Sequence, residues 1–131
     1  MLRHSFPIAL CTVLCFFIFN DSFSQEIKFK TKKYNFGFVT EGEIVTMEFE
    51  FENTGTEPLV ISDYKVECGC TVMEKPLGPI LPHQKSILKI TFDTHQKYDR
   101  QDRTVEVISN AKNTPVILRF KGVVLKPKKK D

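Results

Sequence analysis

Residues 45–71 read VTMEFEFENTGTEPLVISDYKVECGCT, and the reading of the whole chain starts from them. Val45, Met47, Phe49 and Phe51 alternate with Thr46, Glu48, Glu50 and Glu52. A period of two places successive side chains on opposite faces of an extended strand, one face buried and the other wet. A central strand is therefore expected over about 44–51. Asn53-Thr54-Gly55 supplies residue types that tolerate the left-handed backbone of tight turns. Pro58 restarts an extended segment that runs to Glu67, with Leu59 and Ile61 on one face. Its parity changes near Asp63, which predicts a bend or a bulge. The stretch ends on two cysteines separated by a single glycine.

The same alternation recurs on both sides. Downstream, Thr71 to Glu74 reads as a short strand. Pro76, Gly78, Pro79 and Pro82 make the next stretch a loop, because proline cannot donate to a sheet ladder. Leu88, Ile90 and Phe92 form an inward set, as do Val105 with Val107, and Val116 with Leu118 and Phe120. Val123 to Leu125 extends the last of these. Asp93 to Asp102 is polar without an apolar period and is expected to be a connection. Upstream, Ile27 and Phe29 alternate within a lysine-rich segment suited to an edge strand. Tyr34, Phe36 and Phe38 are expected to share one face, with Gly37 marking a bulge or a close backbone approach. No window carries apolar residues at helical spacing over three turns. The chain is thus expected to be all-β, an antiparallel sandwich of about seven strands, with a closed barrel as the alternative.

The first 24 residues fall outside this pattern. Arg3 and His4 precede an apolar run from Ile8 to Phe19, and Ser22 and Ser24 put small residues where a signal peptidase reads. This is the pattern of a cleaved secretory signal, and the run is short for a membrane-spanning helix. Cys11 and Cys15 follow Leu10 and Leu14 rather than a small residue, which disfavours a lipoprotein signal. Removing 24 of the 131 residues leaves about 107, enough to bury a core without disulfide staples. No transmembrane segment is expected in the mature chain, which would lie in the periplasm or outside the cell. The formal net charge is +3, and Lys126, Lys128, Lys129 and Lys130 hold much of the excess in a tail (126–131) expected to be solvated and disordered. Nucleic acid is not an expected partner, because no aromatic residues interleave with basic ones elsewhere.

An ordered set of short motifs resembles a known bacterial family. They are Asn35-Phe36-Gly37, Phe49-Glu50-Phe51-Glu52-Asn53-Thr54-Gly55, Pro58-Leu59-Val60-Ile61, Cys68-Gly69-Cys70-Thr71, Ile80-Leu81-Pro82, Ile90-Thr91-Phe92-Asp93-Thr94 and Ser109-Asn110. The family is the domain of unknown function numbered 1573, common in exported bacterial proteins, and the likeness runs from about Tyr34 to Val124. The chain departs from it at His83-Gln84, where the family usually carries a glycine-containing turn after the proline. The resemblance implies an immunoglobulin-like sandwich over residues 25–125. It implies no established activity and no assigned catalytic residues.

Only Cys68 and Cys70 stand out chemically. Export removes Cys11 and Cys15 with the signal and takes this pair to an oxidising compartment. On a regular strand, residues two apart lie about 6.6–6.8 Å apart at Cα, the outer limit of disulfide geometry. A bond therefore needs a bend, which Gly69 would allow. Closing a loop of three residues contributes only about 1.6 kcal/mol in the chain-entropy account, little for a staple. Three readings stay open: a small buried pair without further role, a thiol-redox pair, and a site for Cu(I) or Zn²⁺ with Met73 or His83 as a further ligand. His83 and His95 fall in or near loops with no nucleophile at a known spacing. Asp93, Asp99 and Asp102 lack a calcium-loop pattern and read as turn formers. Glu41, Glu43, Glu48, Glu50 and Glu52 read as a solvated acidic face. No catalytic constellation and no cofactor is expected. The sequence thus points to an exported, non-catalytic binding or structural module of the bacterial envelope, with a protein partner. The alternative is a thiol-redox or copper-binding protein using Cys68 and Cys70.

Overall fold

The computed structural model describes residues 23–130; the signal reading for residues 1–24 falls, but for Phe23 and Ser24, outside them. Eight strands follow in order: β1 (Ile27–Phe29), β2 (Lys33–Thr40), β3 (Ile44–Asn53), β4 (Ile61–Val66), β5 (Thr71–Glu74), β6 (Lys85–Asp93), β7 (Asp99–Ser109) and β8 (Val116–Leu125). They form two four-stranded sheets, ordered β1-β3-β6-β5 and β2-β8-β7-β4. The chain is all-β and an immunoglobulin-like sandwich, with one strand more than the sequence pattern counts. One pair is parallel rather than antiparallel, β2 with β8, because β2 is reached by crossing from the other sheet instead of through a hairpin. No helix among the described residues is long and apolar enough to cross a membrane.

Alternation dictates the core. Val45, Met47, Phe49 and Phe51 of β3 are buried, and their neighbours across the ladder are Phe92, Ile90, Leu88 and Ser86 of β6. From the facing sheet come Val105, Val107, Val116, Leu118 and Phe120, also buried. Each large side chain taken fully out of water contributes roughly 1.5–3 kcal/mol of transfer free energy. Phe29 tilts against Phe51 and Tyr34 against Phe49, so β1 and β2 also anchor through aromatic contacts.

Asn53 does more than turn the chain. It is 0% exposed, and its side-chain NH₂ donates to the carbonyls of Glu57 (2.8 Å) and Ile80 (2.9 Å) while its Oδ1 accepts from the Gly55 N–H (3.0 Å). Its backbone accepts from His83 (2.7 Å) and donates to Gln84 (3.0 Å). A buried amide with its hydrogen bonds satisfied ties the β3–β4 and β5–β6 connections together at one end of the sandwich. The left-handed backbone expected around Asn53 and Gly55 is absent. Gly55 is needed instead because a Cβ there would collide with the backbone of Ser24–Glu26. A left-handed residue does occur at His83 (φ 64°), in the turn where the resembling family carries glycine.

Two further expectations are corrected. Tyr34, Phe36 and Phe38 do not share a face, because a bulge between Asn35 and Gly37 (φ 72°) reverses the parity. Tyr34 and Phe36 turn inward, and Phe38 is 74% exposed. Nor is all of Asp93–Asp102 a connection, since β7 already begins at Asp99. Its early inward positions carry Gln101 and Arg103 rather than apolar residues, so hydrophobic periodicity is silent there. The bulge lays the Phe36 ring on Gly122, where a Cβ would sit inside the van der Waals envelope of that ring. Gly122→Ala is therefore expected to lower stability by about 1–3 kcal/mol, the usual cost of overpacking a core, as read from urea denaturation.

Candidate functional site

Cys68 and Cys70 lie in the turn between β4 and β5, where the chain passes from one sheet to the other. The Cys68 carbonyl accepts from the Thr71 N–H (3.2 Å), closing the turn and bringing the two Cα atoms to 5.3 Å. The sulfurs are joined in a disulfide. Gly69 is not what permits the bend: its φ lies outside the left-handed region, and a Cβ there would meet only open space. Both cysteines are half-buried at the rim rather than sealed in the centre, with Cys70 packed against the core.

The residue that gives this turn chemical character is Arg103. It lies on the inward face of β7, two residues before Val105, and its guanidinium stands over the Phe92 ring at 5.4 Å. One terminal nitrogen donates to Gln101 Oε1 (2.9 Å) and the other reaches Cys68 Sγ (3.8 Å). Its Nε is buried without a hydrogen-bond partner. The ion pairs found among the described residues are Lys30–Glu50, Lys89–Glu74, His95–Glu41, Lys112–Glu26 and Arg119–Asp102, none of which includes Arg103. A partly buried cation thus faces a sulfur with no carboxylate in ion-pair distance among the described residues; the neighbouring Glu67 carboxylate accepts instead from the Thr104 N–H (3.3 Å) and hydroxyl (2.8 Å). Cys68 Sγ also accepts from the Cys70 N–H (3.3 Å), whereas no donor reaches Cys70 Sγ among the described residues. No sequence motif marks Arg103, yet counting back by two from Val107 and Val105 reaches it.

The other candidate residues are not brought to this turn. The His83 N–H donates to Asn53 at the end of the sandwich opposite Cys70, whose carbonyl accepts from Asp93. The nine residues of β6 separate the two ends, roughly 25–30 Å at strand rise. Met73 is buried in the core on β5. No group of three His, Cys, Asp or Glu able to hold a metal occurs among the described residues, and a cation beside Cys68 Sγ opposes a second cation there. His95 is exposed, with Nδ1 3.6 Å from Glu41. Asp102 is not a turn former: on the outer face of β7 its carboxylate binds the Arg119 guanidinium (2.6 and 2.5 Å), which holds the carboxyl below the usual carboxylate range. That pair is exposed, where ion pairs contribute little.

The four sheet edges differ. On β1, Asn113 accepts from the Ile27 N–H (3.2 Å) and donates to its carbonyl (2.8 Å). On β2, the Thr31 hydroxyl binds both backbone groups of Lys33, and Asn35 Oδ1 accepts from the Gly37 N–H. On β4, the Lys75 ammonium donates to the Ser62 carbonyl (3.1 Å), and Asp63 accepts from the Tyr64 N–H (2.8 Å). β5 pairs only with β6. Because Asp93 donates to the Cys70 carbonyl, ladder alternation turns the N–H and C=O of Met73 away from β6. No side chain bonds the backbone of β5 among the described residues.

Taken together, the two-sheet order and the strand-switching turn define an immunoglobulin-like β-sandwich. Residues 27–124 match the family described as "Protein of unknown function (DUF1573)", and the chain belongs to it. Among solved structures, the fold is similar to the ASH/PapD-like domain of human CEP192 (15% identity, TM-score 0.63, covering 80% of this chain and 89% of that one). It is also similar to a protein of unknown function from Porphyromonas gingivalis W83 (15%, 0.66, 76% and 46%) and to the secreted serine protease VesC from Vibrio cholerae (12%, 0.52, 79% and 23%). The chain spans less than half the length of those last two. At such identities the likeness concerns the fold alone. No curated protein matches the sequence.

Replacing both cysteines by serine is expected to lower stability by no more than about 1.6 kcal/mol in urea, since the closed loop is three residues long. Gly69→Ala is expected to leave the pair fully oxidised, as judged by alkylation and mass spectrometry.

Proposed function

We propose that this chain is an exported, non-catalytic binding module of the bacterial envelope, which takes an extended segment of a protein partner onto the open edge of β5. One observation carries the reading: side chains close the backbone of β1, β2 and β4, while β5 has no such cover among the described residues. An unpaired ladder edge supplies main-chain hydrogen bonds to an added strand, and side chains at alternate positions give selectivity. Val72, half-exposed on the outer face beside that edge, would supply an apolar contact. Export is supported by the signal-like first 24 residues, and the occurrence of this fold in a secreted protease of Vibrio cholerae is consistent with it. The absence of a recognisable catalytic constellation in the sequence supports a non-catalytic role.

A photo-crosslinking residue placed at Val72 in the producing cell is expected to trap a partner, with Lys28 on the β1 edge as the comparison position. In the recovered complex the Met73 amide should gain protection from hydrogen exchange. Equal trapping from both positions, or a complex in which the Met73 amide exchanges freely, would count against the β5 edge.

A further inference from the structure

The strongest unused feature of the molecule is the asymmetry of the two sulfurs. Cys68 Sγ is approached by the Cys70 N–H (3.3 Å) and by the Arg103 guanidinium (3.8 Å), and no donor reaches Cys70 Sγ among the described residues. Arg103 gains little from this in the oxidised state, because a disulfide sulfur carries no formal charge. Its Nε is buried without a partner, and among the described residues no carboxylate lies in ion-pair distance of it, the flanking Glu67 carboxylate being held by the Thr104 N–H and hydroxyl. A thiolate at Cys68 would supply the missing anion at a site whose donors are already in place. Cations beside a cysteine lower its pKa, and a thiolate so stabilised leaves a disulfide more readily.

We propose that Cys68–Cys70 is a thiol–disulfide exchange site that accepts two electrons from a dithiol, with Arg103 as the residue that stabilises the Cys68 thiolate. A thiolate of the dithiol attacks Cys70 Sγ and forms a mixed disulfide. The Cys68–Cys70 bond breaks and its electron pair goes to Cys68 Sγ, which remains as a thiolate beside Arg103. The second thiol of the dithiol, having lost its proton to solvent, attacks the mixed disulfide, and Cys70 leaves and takes up a proton. The dithiol ends as a disulfide and the pair is reduced. In the cell the reductant belongs to the class of protein dithiols. Because a stabilised reduced form makes a disulfide the more oxidising partner, the pair accepts electrons readily.

The test uses the full chain with two single substitutions that each leave one thiol of the pair, alkylation being read at each cysteine separately by peptide mass spectrometry because Cys11 and Cys15 are also present. With Cys70→Ser, the pH profile of iodoacetamide alkylation at Cys68 is expected to have its midpoint below about 7.5. With Cys68→Ser, the profile at Cys70 is expected near the ordinary thiol value of about 8.5. Equal midpoints, or the lower one at Cys70, would overturn the assignment. In the oxidised chain, Arg103→Met is expected to slow reduction by dithiothreitol at least about threefold, with Arg103→Lys restoring part of the rate. An unchanged rate in a folded Arg103→Met chain would overturn it as well. Should that variant fail to fold, the two single-cysteine profiles decide alone.

Discussion

The Phe92 ring is where the core and the rim of the sandwich meet. Its backbone lies between Val45 on one side and Thr71 on the other, in the middle of the first sheet. Its ring packs against Phe120 at 5.2 Å and Phe36 at 6.0 Å, joining that sheet to both β8 and β2. The Arg103 guanidinium lies on the same ring. Aromatic faces carry negative quadrupole charge, so the ring can hold a partly desolvated cation without an anion. That single contact explains how an arginine comes to occupy an inward strand position. It also aims Arg103 at the turn holding Cys68.

Much of the fold was legible in residues 45–71 and their repeats, because half-buried strands leave a period of two. Val45, Met47, Phe49, Phe51, Leu88, Ile90 and Phe92 are buried as that period requires. The pattern failed where a non-periodic device intervened. The bulge at Gly37 turned Phe38 outward, and no alternation rule predicts an inserted residue. Asn53 looked like turn chemistry and proved to be a buried amide whose partners lie up to 27 residues away. Partners distant in sequence are invisible to local propensity. Arg103 carries no local signal, because charge at an inward position reads as a loop unless the strand is counted through it. Cys68 and Cys70 were legible as a pair, but the sulfur favoured by its surroundings depends on β7, 35 residues away.

Arg103, the cysteine pair and the start of β5 gather at one end of the molecule. The turn with the disulfide leads directly into β5, the strand whose edge no side chain covers among the described residues, so a segment laid on that edge would start beside Cys70. A core built from Phe49, Phe51, Phe92 and Phe120 supplies the stability, and a three-residue loop adds little to it. A change in the oxidation state of the pair is therefore expected to leave the sandwich in place. Belonging to a family of unknown function, the chain draws its functional reading from this local chemistry and not from the fold, which serves many unrelated purposes.

Comparison of amide NMR spectra of the oxidised and dithiol-reduced full chain tests this independence most directly. Shifts are expected only in the turn around residues 67–71, at Asp93 and at residues 101–104, including the Arg103 side-chain resonances. Resonances of β3 and the centre of β8 should stay in place. Loss of dispersion across Met47, Phe49 and Leu118 on reduction would contradict it, since the bond would then be holding the core together.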